Sequence, residues 1–445
     1  MARQGTADAR QSLRDPRSQL GASAVGGRSS QPVPRNRVGI GRALRISSLP
    51  GWRARVTSQA EQTLWLLISA TLLVLTLPGI ALFYGGMVRK KNVMNTIALP
   101  FAALALVSIE WGLFGNGSAF GGELDSSVAQ AATTGPLISV YRGTMAAIAL
   151  ALVAGGVVER VRFSFFLLFG LCWIGAVYIP LSHWLWGSGW LANLGCLDFA
   201  GGAVIHISAG VSALVMATVI GPRRGYGRIE MIPNHLPFSF CGAAFMWVGW
   251  FGFTGAALSV SMVTVTGAFV AIQLSAVAAA LAWMAVEWLQ RDKPTALGAV
   301  SGAVAGLVAI APAAGYVSPL SAIVIGIGSG GLCYMVVNYV KLILGYDDSL
   351  DVFGMHGVGG TWGMIATGLF ASTDINASGS DGLFYGYPYQ FFVQIVATCA
   401  AWVLAGGGSW LLLKGLMLVL PPRVDEEAEV MGLDLHQHGE KGYTG

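Results

Sequence analysis

Charge is what this sequence most conspicuously lacks. Charged residues make up 11% of the 445-residue chain, against about a quarter in a typical soluble domain. That shortage excludes an ordinary soluble enzyme, a nucleic-acid-binding protein and a disordered chain. The five cysteines form no C-x-x-C pair and no metal-ligand spacing, so they predict neither a metal site nor a disulfide framework. Since no nucleotide loop or nucleophile–base set is present either, we expect no cofactor and no enzymatic activity.

Long apolar runs make up most of what is present. Residues 63–88 contain no charged side chain, and a helix of that length can cross the ~30 Å hydrocarbon core of a bilayer. Segments of this kind predict an all-α polytopic membrane protein with eleven transmembrane helices. They lie near 63–88, 94–120, 141–158, 162–184, 199–220, 235–257, 259–289, 295–313, 318–345, 352–372 and 388–420.

The loops between these segments predict the orientation of the chain. Alternate loops are basic, and the intervening loops carry almost no Lys or Arg, Arg142 being the exception. Because short cytoplasmic loops are enriched in Lys and Arg, the alternation predicts an outside start and a cytoplasmic C-terminus. The basic loops contain Arg89, Lys90, Lys91, Arg160, Arg162, Arg223, Arg224, Arg228, Arg291 and Lys293.

Composition divides the chain into three regions. Residues 1–60 contain eleven arginines and no apolar periodicity, which predicts a disordered leader. An arginine-rich leader conflicts with an outside start, so we expect it to be absent from the mature protein. Residues 61–420 form the predicted transmembrane domain, and the polar residues 421–445 form a predicted cytoplasmic regulatory tail.

Two histidines, His206 and His356, fall inside apolar runs. An ionisable residue at membrane depth marks a functional site by default; the alternatives are a neutral histidine bonded between helices or, less favoured, a haem ligand. Asp198 precedes His206 and Asp351 precedes His356, which predicts an inverted repeat with a site between its halves. Each aspartate either caps a helix or attracts a cation.

Other polar and aromatic residues allow two interpretations. Glu110, deep in the second segment, is predicted to hydrogen-bond across a helix interface. Aromatic belts form at membrane–water interfaces, and such a belt explains Trp184 and Trp190. A cation-attracting ring cluster near the outer face is the alternative. Its candidate members are Tyr141, Trp186, Trp247, Trp250 and Phe253.

Five runs of sequence stand out: residues 81–92 (ALFYGGMVRKKN), 178–187 (YIPLSHWLWG), 197–206 (LDFAGGAVIH), 249–253 (GWFGF) and 351–358 (DVFGMHGV). In their order and spacing they resemble the ammonium transporter (Amt) family. The resemblance extends over about residues 62 to 443, and Trp186 favours the Amt branch over the Rhesus glycoproteins.

The resemblance implies an eleven-helix protomer, an inverted 5+5 repeat plus an eleventh helix, with its N-terminus outside and its C-terminus inside. It implies a homotrimer in the lipid bilayer of the cell (plasma or inner) membrane, with one pore per subunit. The tail is expected to pack beneath the neighbouring subunit, where a PII-type regulatory protein could block the pore.

The resemblance also implies roles for single residues. Trp186 and Asp198 would recruit ammonium at the outer face, with Trp250 beside them. Phe253 and Tyr141 would be the two stacked rings that close the pore below that site. His206 and His356 would line the narrow lumen and relay a proton.

Three positions depart from the family pattern. Tyr141 stands where phenylalanine is usual, Ala257 where the outer site has a serine, and Thr254 where an asparagine follows the inner ring. The Tyr141 hydroxyl could replace the missing serine if it faces the site.

We therefore expect an ammonium transporter that deprotonates its substrate and conducts ammonia, with net transfer of charge. The alternatives are an ammonium sensor and an electroneutral ammonia channel.

Overall fold

The computed structural model describes residues 59–121, 135–259 and 261–443. Residues 1–58 of the predicted leader lie outside these residues, and its last two, Gln59 and Ala60, begin the first helix. Eleven helices of eleven residues or more occupy the described part of the chain. They are α1 Gln59–Met87, α2 Val93–Glu110, α3 Gly135–Ala154, α4 Phe163–Trp173, α5 Ser208–Ile220, α6 Leu236–Trp250, α7 Met262–Arg291, α8 Ala296–Ile310, α9 Pro319–Met335, α10 Val358–Phe370 and α11 Pro388–Leu416.

Several of these helices continue through π-helical or 3₁₀ turns, which are common at functional sites. Nine of the continuous helices in the described residues are long and apolar enough to cross a membrane; α8 is shorter, and α10 is not among the nine. The all-helical, multi-pass fold is thus confirmed, and the count of eleven spans stays a prediction. The continuations are Trp111–Gly115 and Asn116–Phe120 after α2, Ile174–Tyr178 and Ile179–Trp186 after α4, Gly202–Ile207 before α5, Phe251–Ser259 after α6, Val336–Val340 and Lys341–Leu344 after α9, and Phe353–Gly357 before α10.

Glycines set how closely the helices approach. A Cβ added at Gly242 of α6 would lie 2.2 Å from the backbone nitrogen of Phe83 in α1. Added at Gly306 of α8 or Gly326 of α9, it would lie 2.4 Å or 2.3 Å from the Ser275 carbonyl oxygen of α7. Small residues allow such contacts between membrane helices, so these glycines serve close helix packing.

The closest of these crossings joins the starts of α5 and α10. A Cβ at Gly210 would lie 2.1 Å from the Gly357 nitrogen, and one at Gly360 would lie 2.8 Å from the Gly202 carbonyl oxygen. Each of Gly210 and Gly360 follows a histidine by four residues. This crossing brings the two π-helical turns, and the histidines they carry, into contact at the centre of the molecule.

The basic loops meet in a buried ion network that the sequence did not predict. Glu159, fully buried, bonds Arg89 at 2.8 Å and Arg223 at 2.7 Å. Arg223 also bonds Asp347 at 2.8 Å, and Arg160 donates to the Asp347 carbonyl at 2.6 Å. Burial alone would raise the pKa of Glu159, but Arg223 and Arg89 outweigh it and hold that pKa below its usual value. The network ties four loops together at one end of the bundle.

The tail lies across the same loops. Its short helix α12, Glu426–Met431, is followed by a turn whose Asp434 accepts the Asn95 backbone N–H at 2.8 Å. The Asn95 side chain donates to His438 at 2.9 Å, and the Tyr443 hydroxyl donates to Asn234 at 2.6 Å. These contacts are to the tail's own chain, and packing beneath a neighbouring subunit stays a prediction.

Candidate substrate pore

The two membrane-depth histidines face each other. Their Nδ1 atoms are 3.3 Å apart, and their ring centroids are 5.3 Å apart with the ring planes at 26°. His206 is fully buried and His356 is 4% exposed. Two facing nitrogens at this distance share one proton, so one ring donates and the other accepts. Among the described residues, neither His206 Nε2 nor the Trp250 indole nitrogen has a hydrogen-bond partner.

Aromatic rings continue the column beyond His206. Trp250 stacks on His206 with centroids 5.4 Å apart and planes at 4°, and Phe253 follows Trp250 at 5.3 Å and 58°. All three side chains are buried. The rings hold His206 in one orientation and surround it with apolar surface.

Tyr141 lies against the same 3₁₀ segment. Its hydroxyl donates to the carbonyl oxygens of Phe253 at 3.2 Å and Gly252 at 3.3 Å, so its proton is bonded to backbone. Thr254 is likewise turned inward and donates to the Phe251 carbonyl at 2.6 Å. The side chain of Ala257 lies outside the described residues. The Tyr141 hydroxyl is thus a wall-forming group here, and its role in place of the serine gains no support.

Trp186 and Asp198 are joined through the backbone. The Trp186 indole N–H donates to the Asp198 carbonyl oxygen at 2.7 Å. The Asp198 carboxylate accepts four backbone N–H groups at the start of the α5 helix, at 2.6–3.2 Å, from Gly201, Gly202, Ala203 and Val204. Burial raises the pKa of Asp198, although these four bonds oppose the shift. Asp198 is therefore a helix cap that also fixes Trp186, as the capping interpretation predicts.

Asp351 is the predicted match of Asp198 in the tenth segment, and this match is wrong. The structural counterpart of Asp198 is Asp348, three residues earlier. Asp348 precedes His356 by eight residues, the same spacing as Asp198 and His206, and its carboxylate accepts the Phe353 N–H at 2.7 Å. Asp351 instead pairs with Lys341 at 2.6 Å. Equal spacing to the histidine was the signal in the sequence that identifies Asp348.

Glu110 contradicts its prediction. It is 3% exposed, yet neither carboxylate oxygen has a hydrogen-bond partner in the described part of the chain. The predicted bond across a helix interface is therefore wrong.

Trp190 is exposed and Trp184 half-buried, with their rings 5.8 Å apart. Trp247 donates to Gln273 at 3.0 Å, in α7, away from the ring column.

Comparison with known proteins assigns the chain to a family. A family model described as "Ammonium Transporter Family" matches residues 64–443. The ammonium transporter of Bacillus subtilis (strain 168) is 46% identical over 402 residues, 86% of this chain and 99% of the relative. The chain belongs to the ammonium transporter family. Ammonium transporter Amt1 of Archaeoglobus fulgidus is 39% identical over 388 residues, 85% of this chain and 98% of the relative.

Solved structures share the fold of this ammonium transporter family member. The crystal structure of Saccharomyces cerevisiae Mep2 matches with a TM-score of 0.74 and 30% identity, over 82% of this chain and 88% of that one. A protein named "Sensor Amt Protein" matches with a TM-score of 0.78 and 25% identity, over 85% of this chain and 98% of that one. The relatives with curated names are transporters, which are not enzymes.

Proposed function

We propose that this protein is an electrogenic ammonium transporter, which recruits ammonium at an outer aromatic site, removes a proton and conducts ammonia through an apolar pore. The observation that carries the proposal is the buried histidine pair, with Nδ1 atoms 3.3 Å apart, set in a column of aromatic rings. Such a pair offers both a hydrogen-bond acceptor and a donor at membrane depth.

The apolar column accounts for selectivity. Ammonium and potassium have nearly the same size and charge, so a ring of carbonyl groups could not separate them well. An ion that stays charged loses several kcal/mol or more on entering a low-dielectric pore. Ammonium avoids that cost because it can lose a proton, whereas potassium cannot.

Trp186 is the proposed cation-attracting ring of the outer site. A desolvated cation–π contact contributes up to about 2 kcal/mol, and the indole is held by its bond to the Asp198 backbone. The Asp198 carboxylate acts on the cation by charge and not by contact, since all of its bonds go to backbone N–H groups. Tyr141 and Phe253 close the pore below, and Trp250 covers His206.

The proton and ammonia then move separately. His206 Nε2, which is free of protein partners, accepts or donates to ammonia in the lumen. The Nδ1–Nδ1 contact passes a proton between His206 and His356, and the two species rejoin on the inner side. Net charge transfer follows from this separation.

The remaining architecture is part of the proposal. Eleven spans, with the N-terminus outside and the C-terminus inside, agree with the basic loops, which gather at the tail. The matching Asp–His spacing before α5 and α10 supports an inverted repeat. We further propose a homotrimer in the cell membrane, and a PII-type regulatory protein that binds the face formed by the tail and these loops.

The test is current recorded on a solid-supported membrane carrying the reconstituted protein, pulsed with ammonium or potassium. A transporter gives a saturable ammonium current and no potassium response. Alkalinisation of the vesicle interior without current would establish an electroneutral ammonia channel instead. Bound ammonium with neither response would favour a sensor, the function named for one of the structural relatives.

A further inference from the structure

The two capping aspartates, Asp198 and Asp348, differ in how one carboxylate oxygen is bonded. Asp198 uses both carboxylate oxygens to accept four backbone N–H groups. Asp348 is fully buried and bonds the Phe353 N–H through Oδ2, while its Oδ1 has no hydrogen-bond partner among the described residues. A buried oxygen without a partner is costly, and it marks a position where a proton or a bridging water would be stabilised.

The position of this oxygen fits the pore. Asp348 caps the turn that carries His356, and that histidine is the third residue after Phe353, roughly one helical turn or about 5 Å along the axis. The opposite end of the histidine pair points to the aromatic column through His206 and Trp250. Asp348 is therefore the acidic group that caps the helical turn on the His356 side of the pair.

The surroundings of Asp348 balance its charge incompletely. Lys341 donates to the Asp348 carbonyl oxygen at 2.7 Å, but its ion pair is with Asp351. Burial raises the pKa of Asp348 to about 6, opposed mainly by Lys341. The carboxyl can therefore take up and release a proton near neutral pH. The ionisable groups that face it are Tyr84, Arg160, Lys341, Tyr346 and Asp351.

We propose that Asp348 accepts the proton that leaves His356 and delivers it to the inner side of the membrane. The proposal rests on the electrogenic function proposed above. An N–H bond of the His356 ring breaks and the Oδ1–H bond of Asp348 forms, with the proton carried between them by a chain of waters. The proton then passes from Oδ1 to inner water and joins ammonia to give ammonium. His356 regains a proton from His206, and His206 regains one from the ammonium that loses its proton, so no group is consumed.

Asp348→Asn separates proton transfer from capping. The amide oxygen still accepts the Phe353 N–H, but the side chain takes up no proton. In reconstituted full-length protein we expect the ammonium-evoked current to fall roughly a hundredfold, the usual scale for a lost acid–base group. Ammonia-driven alkalinisation of the vesicle interior should be unchanged, because the apolar pore is intact. Asp348→Glu should restore part of the current.

Asp351→Asn is the matched control. Asp351 lies three residues after Asp348. Its replacement breaks the ion pair with Lys341 and should keep the wild-type current. The wild-type current should also rise through a titration near pH 6 that the Asp348→Asn variant lacks.

Two results would overturn the inference while leaving the transporter proposal intact. One is undiminished current in Asp348→Asn; the other is a parallel loss of current and ammonia flux in that variant without rescue by glutamate, which would make Asp348 a cap alone. Absence of current in the wild type would overturn the electrogenic function and this inference together.

Discussion

The starts of α5 and α10 resemble each other closely, but they differ in how their aspartates are used. Each has an aspartate eight residues before a histidine, a π-helical turn that carries the histidine, and a glycine four residues after it. The Asp198 carboxylate accepts four N–H groups, whereas Asp348 leaves one oxygen free. The comparison suggests that equivalent positions serve a fixed cap on one side of the pore and a proton-accepting group on the other.

Their histidines differ as well. His206 lies between Trp250 and His356, with Trp250 nearly parallel to it at 4°. His356 is the ring nearer to the charged loop that holds Asp348 and Lys341. One member of the pair is therefore fixed by aromatic packing, and the other lies on the turn that Asp348 caps.

Removal of the Asp198 cap should have the largest effect. Asp198→Ala leaves four N–H groups at the start of α5 without their acceptor, and a hydrogen bond to a charged group contributes about 1.5–3 kcal/mol. We expect a loss of several kcal/mol of folding free energy, low yield and no current. Thermal unfolding in detergent measures the first of these. Asp198→Asn should lose less, and an Asp198→Ala variant with wild-type stability would contradict the capping role.

Trp250 sharpens the difference between the two histidines. Trp250→Ala removes a fully packed ring, a change that costs about 3–5 kcal/mol in protein cores. Of the two histidines, it opens space beside His206. We expect lower thermal stability and a pore that admits water, measured as a potassium current in the same membrane assay. Trp247→Ala, whose ring lies outside the column, is the control and should still exclude potassium.

Asp348 should make stability depend on pH in an unusual direction. Because its pKa is raised from 3.8 to about 6, the folded protein favours the protonated carboxyl, and the wild type loses stability as pH rises from about 4 to about 6. The loss is at most about 3 kcal/mol, and Asp348→Asn should not show it. The unfolding temperature of the variant relative to wild type should therefore increase across that interval.

Glu159 should make stability depend on pH in the opposite direction to Asp348. Its pKa lies below the usual value because of Arg223 and Arg89, so its contribution is present at neutral pH and is lost as pH falls through the folded-state pKa. Glu159→Gln should therefore be most damaging at neutral pH. If Asp348→Asn and Glu159→Gln changed stability with the same dependence on pH, the distinction between the two sites would be refuted.

Tyr141 should give the smallest effect. Tyr141→Phe removes one hydroxyl donor to the Phe253 and Gly252 carbonyls, worth about 1 kcal/mol, and installs the residue usual in the family. We expect a small drop in unfolding temperature and little change in the ammonium current. A large fall in current would show that the hydroxyl contacts the substrate.

Much of this fold could be predicted from the sequence, because long apolar runs with basic loops between them permit few alternatives. The apolar run near residues 141–158 predicts a start six residues later than Gly135, where α3 begins and where Pro136 suits a first helical turn. His206 and His356 could be found because ionisable residues at membrane depth are rare. Their mutual contact could not, since it depends on the glycine crossing of α5 and α10.

The errors have a common physical cause. Asp351 lies closest to a helix start in the sequence, but its backbone is left-handed at φ 59° and its side chain turns to Lys341. Glu110 was expected to find a partner on a neighbouring helix, and no hydrogen-bond partner lies there. Side-chain direction in loops and at helix interfaces depends on tertiary packing, which a single sequence does not encode locally.

The central claim is that the histidine pair carries the proton separately from ammonia. The most direct test is the ammonium-evoked and potassium-evoked current of His206→Ala/His356→Ala, beside wild type, in the same membranes. We predict that the double variant loses either the ammonium-evoked current or the exclusion of potassium. An undiminished ammonium current with potassium still excluded would contradict the claim.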